Sequence, residues 1–239
     1  MPPLPSIVDT TIDLGDRTAP LTARVNARAR RLIVKVDAVA GRVLVTAPTK
    51  SSLNEAIDFA RTRAKWIREQ LDEGAPAEPF RDGLVFPLRG EMVRLLCTGA
   101  PREPVRQDGE TVIAGGATRH VNRRVVDWLK RQARDALTER VDHYSDRLGK
   151  KRGPISIRDT RSRWGSCAKD GAMSFSWRLI LAPPVILEYV AAHECAHLVH
   201  LDHSPAYWRV LKGLDIDARA ARDWFHANGA ALYAYGVEA

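Results

Sequence analysis

The chain has 239 residues, of which 45% are hydrophobic and 28% are charged, and its formal net charge is +8. This composition is typical of a globular protein and excludes a disordered chain. No apolar run approaches the roughly 20 residues that a membrane helix needs, and the N-terminus lacks the basic start and apolar block of a secretory signal. The three cysteines are widely spaced and form no CxxC pair, which fits a reducing compartment. We therefore expect two compact parts, a cytoplasmic location and no membrane partner.

Residues 1–117 form the first predicted part, which is rich in β-structure. Residues 31–37 and 42–48 are β-branched runs joined by a short turn, and this pattern predicts a hairpin. Residues 84–99 predict two more short strands. A loop-rich joint follows these strands, and we place the domain boundary near residue 117.

A single helix is predicted within this part, over residues 52–72. Apolar residues recur there at intervals of three and four, which is typical of a helix with one buried face. Ser52 and Glu55 have the spacing of a capping box, in which each side chain bonds to a backbone N–H of the first turn.

Residues 118–239 form the second predicted part. A long helix with one apolar face is expected to reach about residue 148. Residues 155–159 and 173–180 predict strands on either side of a turn-rich segment. Pro184 suits the first turn of a further helix, which we expect to run to about residue 201. The chain is therefore predicted to be an α+β protein, with a small sheet and a helix-rich second domain.

The net positive charge is concentrated in residues 115–165, which contain 14 Lys and Arg against 6 Asp and Glu. A basic stretch of this kind can attract nucleotide phosphates, nucleic acid or an acidic partner. The alternative is a solvated helix face followed by a basic loop. The sequence leaves both interpretations open.

The segment HECAH, residues 193–197, has the strongest chemical pattern in the chain. On the predicted helix, His193 and His197 are four residues apart, which puts their side chains about 6 Å apart on one face, where they can share a metal ion. Glu194 lies one position round the helix and can reach a water bound to that ion. This HExxH arrangement is typical of zinc hydrolases, with two histidine ligands and a glutamate general base. The alternative is a pair of core histidines held by hydrogen bonds.

A catalytic zinc site usually has three protein ligands, and His200 and His203 are the candidates for the third. His200 lies on the same stripe as His193, but its Cα would be about 10.5 Å further along a straight helix. His203 lies beyond a predicted break, because Ser204 suits an N-cap and Pro205 suits the first turn of another helix. We therefore favour His203 as a ligand and expect His200 to be dispensable for metal binding.

Three further motifs accompany HExxH: RSRWGSC at 161–167, SWRLI at 176–180 and DHSPAYW at 202–208. Together with the HExxH helix they resemble the YgjP-like group of metallopeptidase domains, which is related to SprT-like and WLM-type metalloproteases. The resemblance implies a compact zincin-like, minigluzincin-like catalytic domain. It also implies one Zn²⁺ ion per chain, held by three histidines, and a glutamate base. These residues are His193, His197, His203 and Glu194.

Two positions depart from the pattern of the resembled family. Ser176 and Asp202 stand where asparagine is expected. Asp202 keeps the turn preference of asparagine but adds a negative charge near the metal. Neither departure removes a proposed ligand or the base.

The RSRWGSC segment and the helix that follows HExxH supply candidates for substrate contact. Arg161 and Arg163 could hold a carboxylate or phosphate, or stabilise an oxyanion, or donate to loop carbonyls instead. Tyr207 could donate a hydrogen bond to an oxyanion. Trp164 is predicted to be a packing anchor, and the sequence places no base beside Cys167 that would make it a nucleophile.

Three functions remain open at this level. In the first, a zinc metallopeptidase, Glu194 activates a water while an edge strand near residues 173–180 pairs with an extended peptide or protein substrate. The second is a metal-dependent nucleoside triphosphate pyrophosphatase or phosphohydrolase that uses the same site, an activity associated with the resembled family. The third is a DNA-associated protein of the SprT-like kind, with nucleic acid bound along residues 115–165.

Overall fold

The computed structural model describes residues 6–72, 77–160 and 163–237. The chain has the predicted α+β composition, with strands and helices in both of its compact units. The first unit extends to Ala77, and the second begins at Glu78.

The first unit contains a four-stranded sheet and two helices. Its strands are β1 (Ile7–Asp13), β2 (Thr18–Val25), β3 (Ile33–Asp37) and β4 (Arg42–Ala47), in the order β1-β2-β4-β3. The hairpin predicted for residues 31–48 is confirmed, because β3 and β4 pair antiparallel. Side chains from one face of the sheet share a core with the helices. This core includes Leu21, Ala23, Val43, Val45, Ala56, Ala60 and Ile67.

The helix predicted over residues 52–72 is divided in two, α1 (Leu53–Arg61) and α2 (Ala64–Asp72). At the break, the Thr62 hydroxyl donates to the Phe59 carbonyl at 2.7 Å, a local bond that competes with the regular helix pattern. The predicted capping box is also absent, since the Ser52 side chain makes no bond to the first turn. Its hydroxyl donates to the Thr49 carbonyl instead, at 3.1 Å.

The second unit begins with another four-stranded sheet. Its strands are β5 (Val85–Leu88), β6 (Glu91–Cys97), β7 (Arg106–Asp108) and β8 (Thr111–Ala114), in the order β5-β6-β8-β7. β5 and β6 are the two short strands predicted in residues 84–99. The β7–β8 hairpin occupies the segment that was predicted to be a loop-rich joint.

This sheet belongs to the second unit because its apolar face shares a core with helix α3 (Thr118–Arg147). Buried Val93 and Val112 of the sheet lie in the same cluster as Val121 and Val125 of the helix. The chain therefore divides at Ala77 and Glu78, rather than near residue 117 as the sequence predicted. Helix α3 itself ends just before Gly149, as predicted.

A three-stranded sheet follows, with strands β9 (Ile155–Arg158), β10 (Gly165–Cys167) and β11 (Met173–Ser176). Its order is β10-β11-β9, so β11 is central and β10 is an edge strand. The strand predicted over residues 173–180 ends at Ser176, where a 3₁₀ helix, Trp177–Leu181, begins. The Ser176 hydroxyl caps this helix by accepting a bond from the backbone N–H of Arg178 at 3.4 Å.

Three helices complete the second unit: α4 (Pro184–Ala196), α5 (Pro205–Lys212) and α6 (Ala218–Leu232). Helix α4 is the central one of the three, since it contacts α3, α5, α6 and β10. It begins at Pro184 as predicted but ends at Ala196, five residues before the predicted end near residue 201. Within the described ranges, no helix is both long and apolar enough to cross a membrane.

Candidate metal centre

The structure brings His193, His197 and His203 together at the C-terminal end of α4. Each histidine contributes one ring nitrogen, and these three nitrogens lie within 4.8 Å of one another. His193 is in the last turn of the helix, and His197 is its C-cap residue. The turn after His197 reverses the chain, so that His203 faces the other two rings.

The spacing of the imidazoles fits a shared metal ion. The Nε2 atoms of His193 and His203 are 3.2 Å apart. Two nitrogens bound to one zinc ion at about 2.0–2.1 Å in a tetrahedral site lie about 3.3 Å from each other. The observed distance is therefore close to the separation of two nitrogen ligands in a tetrahedral zinc site.

His200 contributes its backbone rather than its ring. The carbonyl of His200 accepts a hydrogen bond from Nδ1 of His197 at 2.9 Å. This bond requires the proton on Nδ1 and leaves Nε2 of His197 with a free lone pair, as a metal ligand needs. The three-histidine group that the described residues form contains His203 and not His200.

Tyr207 and Trp208 of α5 pack against the three imidazoles. The ring of Tyr207 lies 4.6 Å from that of His197, and the ring of Trp208 lies 5.9 Å from that of His203. The hydroxyl of Tyr207, which is fully buried, donates to the backbone carbonyl of His193 at 3.1 Å. Helix α5 therefore contacts both the last turn of α4 and His203, and it holds them together.

Burial favours the neutral form of His193 and His197. Desolvation, together with the neighbouring His197 and His203 rings and the Arg222 charge, lowers the pKa of His193 to about 4. Burial also lowers the pKa of His197. Neutral imidazoles at neutral pH are the protonation state that binds a metal ion.

Glu194 points away from the imidazole stripe and towards the edge strand β10. Burial raises the pKa of Glu194 to about 7, and the Arg163 charge and the backbone N–H of Cys167 partly oppose this shift. Gly165 of β10 allows the approach, because a Cβ at that position would lie 2.5 Å from Oε1 of Glu194. A carboxylate whose pKa is near 7 is suited to general base catalysis.

The other residues of the RSRWGSC segment have different surroundings. Arg161 lies outside the described residues, and Arg163 is exposed. The indole of Trp164 stacks between the rings of Phe225, at 4.9 Å, and Tyr233, at 4.8 Å, which fits the predicted packing role. Burial and the nearby Glu194 charge raise the pKa of Cys167 to about 11, so its thiol is protonated at neutral pH.

The two departures from the family pattern both cap turns. Ser176 caps the 3₁₀ helix, and the Asp202 carboxylate accepts a bond from the backbone N–H of Ser204 at 3.3 Å. The Ser204 hydroxyl in turn accepts from the backbone N–H of Tyr207 at 3.4 Å, which confirms Ser204 as the N-cap of α5.

Sequence reasoning missed Gly165, Arg178 and Arg222. The side chain of Arg178 is fully buried, forms an ion pair with Asp159 and donates to the Tyr235 carbonyl at 3.0 Å. Arg178 thus fixes the position of Asp159, four residues before Arg163. Arg178 could have been found in the sequence because it is a charged residue inside the otherwise apolar SWRLI motif. No local sequence pattern indicates a role for Gly165 or Arg222.

Many positive charges of the basic segment 115–165 bond within the protein. Five arginines of this segment donate to backbone carbonyls or form ion pairs, and their partners lie in several different elements. They are Arg124, Arg134, Arg140, Arg147 and Arg152. These contacts support the structural interpretation for five of the fourteen Lys and Arg of the segment.

A three-histidine cluster at the end of an HExxH helix, within an α+β domain, is the arrangement typical of a metal-binding protein. The family model described as YgjP-like, metallopeptidase domain, matches residues 30–228. The chain therefore belongs to the YgjP-like family of metallopeptidase domains, and this membership supports a metal-dependent hydrolase. No curated protein and no solved structure matches the chain.

Proposed function

We propose that the protein is a zinc-dependent metallopeptidase. The observation that carries this proposal is the cluster of three imidazoles beside the buried Glu194 carboxylate, which faces an edge strand. Membership of a metallopeptidase-domain family points to the same reaction class.

His193, His197 and His203 are the proposed ligands of one zinc ion. Three imidazoles with a further position left open are a donor set of catalytic zinc sites. When bound, zinc supplies Lewis acidity and lowers the pKa of a coordinated water towards 7. The His200 carbonyl and the Tyr207 hydroxyl keep the ligand rings and the helix end in position.

Glu194 is the proposed general base. Its carboxylate accepts the proton of the attacking water and returns it to the leaving amine of the cleaved peptide bond. Burial supports this role, because it raises the pKa of Glu194 to about 7 and so matches proton uptake and release near neutral pH.

The edge strand β10 is the proposed binding surface for an extended peptide. One side of β10 pairs with β11, and the sheet order leaves its other side as an edge. A peptide that adds to this edge would form main-chain hydrogen bonds beside Glu194. This moves the proposed edge from residues 173–180, where β11 is central, to Gly165–Cys167.

Arg163 and Arg161 remain proposed contacts for the substrate or the oxyanion. The Arg163 charge acts on Glu194, which supports a position near the reacting groups. Tyr207 was a third candidate, but its hydroxyl proton is used in the bond to His193. Its proposed role is therefore to position the ligand helix.

Glu194→Gln tests the proposal directly. The variant should retain zinc, because Glu194 is not a ligand, and should lose about 10²- to 10⁴-fold in kcat on a peptide library, the range for loss of a general base. Glu188→Gln is the matched control, since Glu188 lies on the same helix and accepts a bond from Tyr144, outside the histidine cluster. Peptidase activity that survives in Glu194→Gln would contradict the proposal.

A further inference from the structure

Helix α6 brings a guanidinium to the aromatic wall of the histidine cluster. The Arg222 guanidinium carbon lies 5.4 Å from the centroid of the Trp208 ring. The same indole lies 5.9 Å from the His203 ring and 6.4 Å from the His193 ring. Arg222 and the proposed metal ligands are therefore in contact with one shared aromatic side chain.

The donors of Arg222 are only partly used. Its Nε–H donates to the Ala218 carbonyl at 3.1 Å, which holds the stem of the side chain along the helix. Among the described carboxylates, none forms an ion pair with Arg222, whereas Arg219, one turn earlier, approaches Asp223 at 3.9 Å. Among the described residues, none accepts a bond from the terminal N–H groups of Arg222, and their planar arrangement is the geometry that binds a carboxylate through two parallel bonds.

The Arg222 side chain is exposed, and its guanidinium lies over the Trp208 ring, which also contacts the His203 ring. An exposed cation on this aromatic wall is attractive to an anionic group of a bound substrate, and the contact with the Trp208 ring limits its orientation.

We propose that Arg222 is a specificity-determining residue that binds a carboxylate of the peptide substrate beside the metal centre. This inference rests on the proposed peptidase function. The carboxylate has two sources, an Asp or Glu side chain near the scissile bond or the C-terminus of the peptide. A single planar guanidinium fits either one, and both would be oriented by the same two N–H bonds.

The test measures binding and cleavage separately. Labelled peptides in matched pairs, Glu against Gln near the scissile position and free acid against C-terminal amide, are titrated into zinc-loaded Glu194→Gln protein by fluorescence anisotropy. The same pairs are then assayed for kcat/KM with Glu194 present. Arg222→Gln is compared in both backgrounds with Arg219→Gln, a control on the same helix.

One pair should show a preference of about 10- to 100-fold for the carboxylate form, the size expected for a bidentate bond to a charged group. The preference should disappear in Arg222→Gln and remain in Arg219→Gln, and zinc content should be equal in all variants. The Glu/Gln pair identifies a side chain, and the acid/amide pair identifies the C-terminus.

The inference is overturned if neither pair shows a carboxylate preference in binding, or if Arg222→Gln keeps the preference. The two proposals fail differently. A wild-type protein that binds carboxylate peptides through Arg222 but cleaves none refutes the peptidase function alone. Cleavage without any effect of Arg222→Gln on the preference refutes the inference alone.

Discussion

Gly165 lies so close to the Glu194 side chain that position 165 has no room for a larger residue. A Cβ on Gly165 would lie 2.5 Å from Oε1, 2.8 Å from Cγ and 2.9 Å from Cδ of Glu194. Such contacts are far shorter than van der Waals distances, so the carboxylate or the strand would have to move. The proposed base can therefore occupy its position only because residue 165 of β10 is a glycine.

Gly165→Ala should therefore reduce kcat by at least about tenfold while zinc content stays unchanged, since displacements of about 1 Å in a site commonly cost this much or more. Gly213→Ala is the control, because Gly213 has a φ of −67° and its nearest heavy atom would be 3.3 Å from the new Cβ. Steady-state kinetics and zinc analysis check the prediction. Wild-type kcat in Gly165→Ala would show that the contact does not position Glu194.

Only some residues of the candidate site could be predicted from the sequence. The HExxH spacing and the turn residues after it led to His193, Glu194, His197 and His203. The tautomer of His197 depends on the carbonyl of His200, and Arg222, which lies 25 residues beyond His197, is on another helix. Contacts of this kind depend on tertiary structure and leave no periodic pattern.

At the scale of elements, the bend between α4 and α5 is what completes the histidine cluster. Helix α4 stops at Ala196, and the N–H of His200 bonds to the Ala196 carbonyl in the bend. The sequence predicted a longer helix because the residues that indicate a break, Asp202, Ser204 and Pro205, come only after residue 201. The early end was missed because it depends on the packing of α5, through Tyr207, against the last turn of α4.

Ser204 is the N-cap of α5, and its loss should loosen this bend. Ser204→Ala should lower the free energy of unfolding by about 0.5–2 kcal/mol, the range for N-cap removal, and should weaken zinc binding through His203. Ser204→Thr keeps a hydroxyl acceptor and should remain close to wild type. Chemical denaturation and competition with a zinc chelator measure the two effects. Equal stability of the Ala and Thr variants would contradict the capping role.

Other elements followed from local patterns to different degrees. The β3–β4 hairpin, strands β5 and β6 and the long helix α3 were predicted because alternation or helical spacing is strong in each. The break between α1 and α2 was missed because Thr62 and Arg63 do not interrupt the apolar spacing. The β10 strand was missed because its three residues, Gly165–Cys167, resemble a turn.

At the scale of the whole chain, the sequence predicted two units but assigned the middle segment to the wrong one. Residues 78–117 look like a continuation of the β-rich N-terminal part. Their apolar face, however, packs on α3, as Val112 and Val125 show. Which unit a sheet joins depends on the partner that covers its apolar face, and alternation within the strands does not specify that partner.

The family match covers residues 30–228 and thus parts of both units. The reaction chemistry proposed for the chain depends on the second unit, where the histidine cluster and β10 lie. The central claim is that His193, His197 and His203 hold one zinc ion there.

The most direct test of this claim is the zinc content of purified His203→Ala and His200→Ala proteins, measured by elemental analysis. The wild type and His200→Ala should each contain about one zinc per chain, because His200 contributes its backbone carbonyl, which alanine retains. His203→Ala should lose the metal at the same protein concentration. Retention of zinc in His203→Ala together with its loss in His200→Ala would contradict the account.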